Sequence, residues 1–409
     1  MKPIGPIPPA FADQEGTLMI AGRAAEAWVA AHGSPVFVYD FALVRAQVER
    51  FRAAMPAGVR LHYAVKANPY APLVRATAPL VDGLDVASAG ELAEVLAYKH
   101  GAAISFAGPG KRDAELEAAV RAGVTLNVES EGEARRAVAI GERTGIAPRL
   151  AVRVNPDLEL RGSGMKMGGR ASPFGVDAER VPALVREIVA SGAEWRGLHI
   201  FAGSQALDSD ALIETQAATV ALAARLAEES GRVPPMVNLG GGFGIPHFAG
   251  DTPVDVARIG SALSGVLDAR GALLGDTVFA IELGRWLVGE AGVYLTRVVD
   301  RKESRGETFL VVDGGLHHQL AASGNFGTVV RRNYPVAVAG QMGAPANDAV
   351  SVVGCLCTPL DRLADRVVLP RAEVGDVVAI FIAGAYGLTA SPSAFLGHPA
   401  PAEVLAGAS

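Results

Sequence analysis

Short apolar runs and segments of helical periodicity alternate along the first two thirds of the chain, as expected of a parallel α/β sheet. The predicted strands are Leu61–Val65, Leu84–Ala87, Ile104–Ala107, Thr125–Val128, Leu150–Val154, Gly197–Phe201, Met236–Leu239 and Phe279–Glu282. The predicted helices between them include Gly90–Tyr98, Asp113–Ala122, Glu131–Arg143, Val181–Ala190 and Ala211–Glu229. Eight such units favour closure into a (β/α)₈ barrel of the TIM type, with an open doubly wound sheet as the competing architecture.

The pattern changes after about Arg285, where helical periodicity is weak and β-like runs lie between Gly, Pro and Asp. These runs are Val293–Val299, Thr308–Val312, Val336–Val338, Ala349–Cys355, Arg366–Leu369 and Val377–Phe381. They predict a separate all-β domain. A strand at Val36–Asp40 and an amphipathic helix to about Phe51 precede the first barrel unit. We therefore divide the chain into a barrel of residues 36–283 and a β-domain of residues 1–35 plus 284–409.

Composition narrows the class of protein. The chain has 409 residues, half of them hydrophobic, and a formal net charge of −6. This balance does not favour nucleic acid or an anionic membrane as a partner, and no run of about twenty apolar residues could span a bilayer. No signal peptide is visible, so we expect a cytoplasmic protein. The two cysteines, Cys355 and Cys357, cannot build a disulfide framework and make a poor zinc site unaided.

Lys66 ends the first barrel strand, because Asn68-Pro69 signals a turn directly after it. Such a lysine is costly to desolvate, so it reaches water, pairs with an acid, or works as a nucleophilic amine. The other strands also carry or run into polar or glycine-rich residues: Asp85 with Ser88, Gly108-Pro109-Gly110, Glu129, Arg153 with Asn155, His199 with Ser204, Gly240–Gly244, and Glu282 with Arg285. Barrels place active sites at the carboxyl ends of their strands, so this ring predicts a polar site at the barrel mouth.

The glycine run Gly240–Gly244 gives the mouth a candidate phosphate site. Glycines let backbone N–H groups approach an anion, and barrels often bind phosphate after their last two strands, although a tight turn explains the run equally well. A phosphate site beside Lys66 fits pyridoxal 5'-phosphate, which needs a Schiff-base lysine, a phosphate cradle and a partner for its ring nitrogen. Glu282 is the candidate partner, and its alternative role is a salt bridge with Arg285.

Longer motifs extend these single residues over nearly the whole chain. In order they are Tyr63–Asn68, Asp85–Glu91, Arg153–Pro156, Gly203–Gln205, Gly240–Gly244, Glu282–Arg285 and Gly384–Tyr386. Together they resemble the fold-type-III pyridoxal-phosphate decarboxylases, the group of diaminopimelate, ornithine and arginine decarboxylases. The resemblance implies a TIM-like barrel followed by an all-β C-terminal domain, the architecture shared by alanine racemase and ornithine decarboxylase.

The resemblance also implies a role for each matching residue. Lys66 binds the cofactor as a Schiff base, and Glu282 pairs with its ring nitrogen. Cys357 reaches in from a second subunit and helps to protonate the carbanion after carbon dioxide leaves, which implies an obligate homodimer with shared sites; its alternative is a small buried residue. Further family positions are Ser204, Gly241, Gly242, Arg285 and Tyr386 at the phosphate, Asp85, Glu91 and Arg153 in a charged shell, and Arg285, Thr358, Asp361 and His318 near the substrate.

Three departures from the family pattern concern the cofactor ring and the substrate. Phe201 stands where the family has a stacking histidine, and His199 lies two residues earlier on the same strand face, so either ring could cover the cofactor. Thr358 replaces the acidic residue that binds the distal ammonium of a diamino acid, and a hydroxyl cannot neutralise a buried ammonium. The segment Asp313–His318 replaces the one in which diaminopimelate decarboxylases place an arginine for the distal carboxylate.

These departures predict an α-decarboxylase of an amino acid, or amino-acid derivative, whose distal end is neutral or tethered. They resemble a divergent branch that includes exosortase-associated decarboxylases and the butirosin-type enzyme acting on carrier-protein-linked glutamate. A diaminopimelate decarboxylase proper and an amino-acid racemase of the same fold are the alternatives, and Glu282 favours decarboxylation over racemisation because it strengthens the electron sink. A non-catalytic relative is a further alternative, against which Lys66 and Cys357 speak.

Overall fold

The computed structural model describes residues 1–157, 171–324 and 331–408, together with a short backbone strand at 165–166. The strands are β1 Met19–Ile20, β2 Arg23–Ala24, β3 Val36–Asp40, β4 Arg60–Ala64, β5 Gly83–Val86, β6 Ile104–Phe106, β7 Thr125–Val128, β8 Arg149–Asn155, β9 Met165–Lys166, β10 Val176–Asp177, β11 Glu194–Ile200, β12 Gly203–Ser204, β13 Met236–Asn238, β14 Val278–Leu283, β15 Gly292–Ser304, β16 Glu307–Val312, β17 Val336–Val338, β18 Asp348–Val353, β19 Arg362–Leu369, β20 Val377–Phe381 and β21 Ala402–Ala406. The helices are α1 Pro9–Ala12, α2 Ala25–His32, α3 Phe41–Ala54, α4 Ala71–Thr77, α5 Ala89–Val95, α6 Asp113–Arg121, α7 Glu131–Thr144, α8 Val181–Ala190, α9 Ser209–Ser230, α10 Val256–Asp268 and α11 Arg285–Val288.

Strands β4, β5, β6, β7, β8, β11, β13 and β14 pair in parallel and close on themselves through the β14–β4 pair. The predicted (β/α)₈ barrel is therefore confirmed, and the open sheet is wrong. The predicted strands lie within three residues of the observed ends because each is an apolar run buried on both faces. Local caps fix the helices equally well: the Ser130 side chain accepts from the Glu133 N–H at the start of α7, and Gly145 ends the helix at φ +70°.

The second domain is a sheet of order β17-β20-β15-β16-β18-β19, as the all-β pattern predicted. The long strand β15 joins its two halves, pairing with β20 near its start and with β16 towards its end. Strand β3, which our division assigned to the barrel, pairs with β15 and β21 and so lies in this second sheet. A five-residue apolar strand carries no local signal for the sheet it joins, so residue 36 is the wrong start for the barrel. The rest of the division stays an interpretation.

A loop of the second domain is hydrogen-bonded to the turn that follows β4. The Tyr386 N–H donates to the Ala67 carbonyl at 2.7 Å, and Asn68 Nδ2 donates to the Gly384 carbonyl at 3.0 Å. A side chain on Gly384 would meet the Val288 carbonyl at 1.8 Å, so glycine is required for this close approach. These contacts place the second domain at the barrel mouth. In the described part of the chain, no helix combines the length and the apolar composition needed to cross a bilayer.

Candidate active site

Lys66 lies in the short 3₁₀ turn Val65–Ala67 directly after β4, at the mouth of the barrel. Its side chain is exposed to the mouth, and the described residues offer its amine no ion pair. Two adjoining cavities, of about 240 and 330 Å³, share Ala64, Lys66 and Glu282 in their walls. The larger has the size of a small-molecule site. The lysine amine is therefore free to meet a ligand there.

Glu282 lies one residue before the end of β14 and faces the same space as a buried carboxylate, 7% exposed. Its Oε2 lies 3.1 Å from His199 Nε2 and accepts a hydrogen bond from Asn238 Nδ2 at 3.2 Å. Burial alone would raise the pKa of Glu282, but the charge and hydrogen bond of His199 outweigh it and hold that pKa well below its usual range. Glu282 is thus an anion held in place by two strands. The alternative salt bridge with Arg285 is not seen among the described contacts.

The glycine run after β13 passes close to Glu282 and turns into the cavity. Gly240 and Gly242 have φ values of +68° and +82°, which suit glycine, and a Cβ on Gly241 would meet the Glu282 carbonyl at 1.9 Å. Gly242 lines the smaller cavity, and the other polar residues along that wall are Ser204, Gln205, Arg285 and Tyr386. Hydroxyl groups, a guanidinium and a close-lying backbone therefore line the same cavity. Gly241 itself is half-buried beside them.

Arg285 is fixed by two aromatic neighbours. Its guanidinium lies 4.6 Å from the centre of the Tyr386 ring, and its Nη1 lies 3.4 Å from His247 Nε2. Burial and the charge of Arg285 lower the pKa of His247 to about 3. The imidazole is therefore neutral at pH 7 and leaves the positive charge of Arg285 available to an anion in the cavity.

Asp85 and Arg153 line the larger cavity together with Lys66, as the predicted charged shell requires. Asp85 Oδ1 accepts from Ser105 Oγ at 2.7 Å and lies 3.1 Å from His62 Nδ1. Burial opposes a charge on His62, but the neighbouring Asp85 carboxylate gives it a raised pKa. Arg153 Nη1 binds Glu129 Oε1 at 2.8 Å.

Glu91, the third predicted member of the charged shell, turns towards the backbone. Its Oε2 accepts from the Ala87 N–H at 2.7 Å at the start of α5, and it does not line either of the cavities that contain Lys66. Burial raises the pKa of this carboxyl. Its contacts are those of a residue that holds the β5–α5 loop, and its place in the shell stays a prediction.

Phe201 and His199 point to different parts of the site. The Phe201 ring lines the smaller cavity, with its centre 5.7 Å from Lys66 Nζ. His199 is 2% exposed and lies against Glu282. Phe201 is therefore the ring beside the lysine amine, and His199 is the partner of the carboxylate.

Tyr386 of the second domain lines the smaller cavity, but neither cavity that contains Lys66 is lined by Cys357, Thr358, Asp361 or His318. Cys357 is exposed and Thr358 is half-buried on the loop between β18 and β19. Asp361 is 3% exposed and accepts from the Leu316 and Leu356 N–H groups at 2.6 and 2.9 Å. These bonds tie two loops together, so the substrate role of Asp361 stays a prediction.

His318 and its neighbour His317 are both buried in the same domain. His318 Nε2 donates to the Pro399 carbonyl at 3.3 Å, which leaves Nδ1 to accept from the Tyr294 hydroxyl at 3.0 Å. Burial and the adjacent ring charges lower the pKa of each histidine to about 4. The substrate role of His318 also stays a prediction, because both its nitrogens have protein partners.

Several residues of the site were not singled out from the sequence. Asn238 holds Glu282 from within an apolar strand, and its Oδ1 also accepts from the Gly240 N–H at 2.9 Å. His62 supports Asp85 from the middle of β4, and His247 supports Arg285. A polar side chain inside an otherwise apolar strand is the signal that could have identified Asn238 and His62.

These residues fit pyridoxal phosphate. The amine of Lys66 has no ion-pair partner among the described residues and meets the demand for a covalent bond to the cofactor's aldehyde. The buried Glu282 anion suits a protonated ring nitrogen. The glycine run, with its close-packed backbone, Ser204 and Arg285 suit a phosphate at the other end.

Comparisons with known proteins agree with this fit. A family model described as "Pyridoxal-dependent decarboxylase, pyridoxal binding domain" matches residues 41–289. The L-glutamyl-[BtrI acyl-carrier protein] decarboxylase of Niallia circulans is 37% identical over 91% of this chain and 88% of that protein. A diaminopimelate decarboxylase of Archaeoglobus fulgidus is 34% identical over 97% of this chain and 93% of its own length. The structure of diaminopimelate decarboxylase from M. jannaschii with L-lysine superposes with a TM-score of 0.86 at 25% identity, covering 96% and 93% of the two chains.

Proposed function

The chain belongs to the pyridoxal-dependent decarboxylases and is a pyridoxal 5'-phosphate-dependent carboxy-lyase, and from that premise we propose that it removes the α-carboxyl group of an amino acid at the barrel mouth. We define the barrel-mouth site as Lys66, Glu282, Phe201, Ser204, Gly241, Gly242, Arg285 and Tyr386. One observation carries the proposal: the exposed amine of Lys66 and the buried anion of Glu282 share the walls of the same two cavities.

The cofactor would be held at three points of this site. Lys66 would bind its aldehyde carbon, Glu282 would bind its ring nitrogen, and Phe201 would offer an aromatic face to its ring. Ser204, Gly241, Gly242, Arg285 and Tyr386 surround the phosphate. When bound, pyridoxal phosphate supplies the ring that takes up the electron pair left by the departing carboxylate.

The protein groups then have separate tasks. Glu282 would keep a proton on the ring nitrogen, since its contacts with His199 and Asn238 hold it as an anion across physiological pH despite its burial. The amine of Lys66, once the substrate amine had taken its place on the cofactor, would be available to move a proton at the α-carbon. Ala64, Phe201 and Leu283 add apolar wall beside these polar groups, which would limit the water around the reacting bonds.

Cys357 serves as the proton donor to the α-carbon in a homodimer with shared sites. Its thiol is exposed and does not line either of the cavities that contain Lys66 of its own chain, so within one chain it has no reach to the substrate. Because the Cys357 thiol is exposed and lies in a motif of the family, it is suited to enter the barrel-mouth site of a second chain. The homodimer and the donor role of Cys357 both rest on this placement and on the family resemblance.

The substrate is an amino acid whose distal end is neutral or tethered. Thr358 supports this, because its uncharged hydroxyl stands next to Cys357, where binding of a distal ammonium would require a carboxylate. The Niallia circulans relative, whose name specifies an L-glutamyl group on an acyl-carrier protein, fits this description. We therefore propose a glutamyl-type side chain linked to a carrier protein as the first substrate to test.

The experiment measures carbon dioxide release by the purified holoenzyme from free L-glutamate, meso-diaminopimelate, L-ornithine and a carrier-protein-linked glutamyl thioester. We expect the thioester to be the best substrate. A Lys66→Ala variant should lose the visible absorption of the bound cofactor and at least about 1,000-fold in rate.

Two results would contradict parts of this proposal. Fastest turnover of diaminopimelate would restore the diaminopimelate decarboxylase alternative and overturn the argument from Thr358. Exchange of the α-proton in deuterated water without gas release would identify a racemase and overturn decarboxylation itself. A Lys66→Ala variant that keeps the visible absorption band would contradict the place of the cofactor.

A further inference from the structure

We propose that His317, Cys355 and His398 form a binding site for a divalent transition-metal ion, with zinc as the first candidate. The three residues come from three loops of the second domain, and we call them the second-domain cluster. Imidazole and thiolate are the ligands that zinc prefers. The inference does not depend on the decarboxylase reaction, because the second-domain cluster shares no residue with the barrel-mouth site.

The distances within the second-domain cluster are close to those of a loaded site. One ligand atom from each residue lies within 4.8 Å of the other two, and Cys355 Sγ is 3.9 Å from His398 Nδ1. Zinc bonds of 2.0–2.3 Å at tetrahedral angles place such ligand atoms about 3.4–3.6 Å apart. Side-chain rotations that move each ligand atom by about an ångström would therefore bring the three atoms to bonding distance of one ion.

His317 gives the second, independent indication of a ligand. It is fully buried, and neither of its ring nitrogens has a hydrogen-bond partner within the described part of the chain. A buried polar group without a partner is costly, so such a nitrogen calls for an explanation. A metal ion between His317, Cys355 and His398 would bind one of the two nitrogens and remove that part of the cost.

The adjacent His318 differs from His317 in having partners for its ring nitrogens. Both nitrogens of His318 are occupied, one by the Tyr294 hydroxyl and one by the Pro399 carbonyl. The two imidazole rings lie with their centres 3.7 Å apart. His318 therefore packs against His317 and limits its rotation while taking no part in ligation.

The backbone around the second-domain cluster is fixed by Asp361. Its carboxylate accepts the Leu316 and Leu356 N–H groups, and these lie next to His317 and Cys355 in the chain. A side chain on Gly315 or Gly354 would meet this carboxylate at 2.5 or 2.2 Å. Two of the three ligands are thus set on loops that a single buried carboxylate joins, as the supporting groups of metal sites commonly do.

Three protein ligands would leave one coordination position open to water, which is the arrangement of exchangeable rather than closed zinc sites. On binding, the Cys355 thiol releases its proton to solvent and the ion is held by one thiolate and two neutral imidazoles. The sequence did not predict this site because Cys355 and Cys357 were considered without histidines. Cys357 is exposed and is not a member of the second-domain cluster.

The test uses holoenzyme that has been stripped of metal by a chelator and then titrated with zinc chloride or cobalt chloride. We expect one ion per chain by equilibrium dialysis and elemental analysis. With cobalt, difference spectra against the metal-free holoenzyme should show the ligand-field bands of a tetrahedral site and a thiolate charge-transfer band. Cys355→Ser and His398→Gln should each weaken metal binding by at least about 100-fold.

Cys357→Ser is the matched control, since it removes the neighbouring thiol and should leave metal uptake and the cobalt spectrum unchanged. Circular dichroism and the visible cofactor band report folding, and the half-buried His398 keeps the test valid if Cys355→Ser does not fold. Metal uptake well below one ion per chain would overturn the proposal. So would equal uptake by wild type, Cys355→Ser and His398→Gln, or loss of uptake in Cys357→Ser alone.

Discussion

The barrel-mouth site and the second-domain cluster gather polar residues in different ways. At the mouth, parallel strands end side by side, so Lys66 after β4 and Glu282 on β14 meet because their strands are neighbours in the sheet. In the second domain, His317, Cys355 and His398 lie on loops that meet only through long-range hydrogen bonds such as those of Asp361. Barrel topology therefore positions the first group, and individual loop contacts position the second.

The difference also concerns charge. Buried carboxylates at the mouth face cationic or hydrogen-bonding partners, as Glu282 faces His199 and Glu129 faces Arg153. The second-domain cluster instead brings together two imidazoles and a thiol, and neither ring nitrogen of His317 has a hydrogen-bond partner among the described residues. We infer that the mouth supplies the cofactor chemistry common to the family. The loops of the second domain supply what is particular to this chain.

The largest expected effect comes from removing the negative charge of Glu282 in the barrel-mouth site. Glu282→Gln should lower the decarboxylation rate by about 100-fold or more, because a neutral amide cannot keep the ring nitrogen protonated. The cofactor should stay bound through Lys66, so its visible absorption band is retained with a shifted maximum.

Glu290→Gln is the control for this variant, since Glu290 is a part-buried carboxyl that does not line either of the cavities that contain Lys66. It should keep the wild-type rate. Steady-state kinetics and absorption spectra of the two variants decide the matter. A Glu282→Gln enzyme with near-wild-type turnover would remove Glu282 from the mechanism.

A smaller effect is expected from changing the loop that carries Thr358. Thr358→Glu should raise kcat/KM for L-ornithine or meso-diaminopimelate by about tenfold, because a carboxylate there can pair with a distal ammonium. Thr389→Glu adds the same charge at an exposed threonine of the second domain and should change nothing. Equal rates for Thr358→Glu and wild type on both diamino acids would weaken the link between this loop and the substrate.

The smallest effect concerns His247, which lies where the two regions meet. It contacts Arg285 of the mouth and lies 5.1 Å, ring centre to ring centre, from Tyr334 of the second domain. Burial and Arg285 lower its folded-state pKa to about 3, whereas an unfolded histidine titrates near 6.5. Between these values the unfolded chain takes up a proton that the folded protein does not, so the stability of the folded protein falls as pH falls.

His247→Gln removes this proton uptake. The slope of the unfolding free energy against pH should therefore drop by about 1.4 kcal/mol per pH unit near pH 5. Denaturant titrations at several pH values measure the slope, and the exposed His100→Gln serves as the control. An unchanged slope for His247→Gln would show that His247 already titrates normally in the folded protein.

The local sequence pattern was enough to predict the barrel. It was not enough to predict which residues the loops of the second domain bring together. Apolar runs and helix caps are encoded within a few residues, so strands such as Thr125–Val128 and helices such as Val181–Ala190 agree with the structure to the residue. Strand Val36–Asp40 was placed in the wrong domain because its partners β15 and β21 are more than 250 residues away. The neighbours of Cys355 in the second-domain cluster were missed because His317 and His398 lie 38 and 43 residues away along the chain and on other loops.

The site residues also fall into those that local pattern predicts and those that depend on contacts with other strands. The sequence alone could place Lys66, Asp85, Arg153 and Glu282 together, because each lies in the last three residues of a barrel strand or just after the strand. Asn238 and His62 were overlooked, since their side chains act only through neighbours on adjacent strands. Whether Cys357 and Thr358 reach a cofactor depends on a second subunit, which neither the pattern nor one folded chain determines.

Subunit mixing tests most directly whether the mouth of one chain works with the loop of another. Lys66→Ala and Cys357→Ala variants, each inactive alone, are unfolded together and refolded in equal amounts, and carbon dioxide release is measured. If the sites are shared, half of the dimers are mixed and each carries one intact site, so about a quarter of the wild-type activity should return. No recovery, with size-exclusion chromatography showing that mixed dimers had formed, would contradict a site built from both regions.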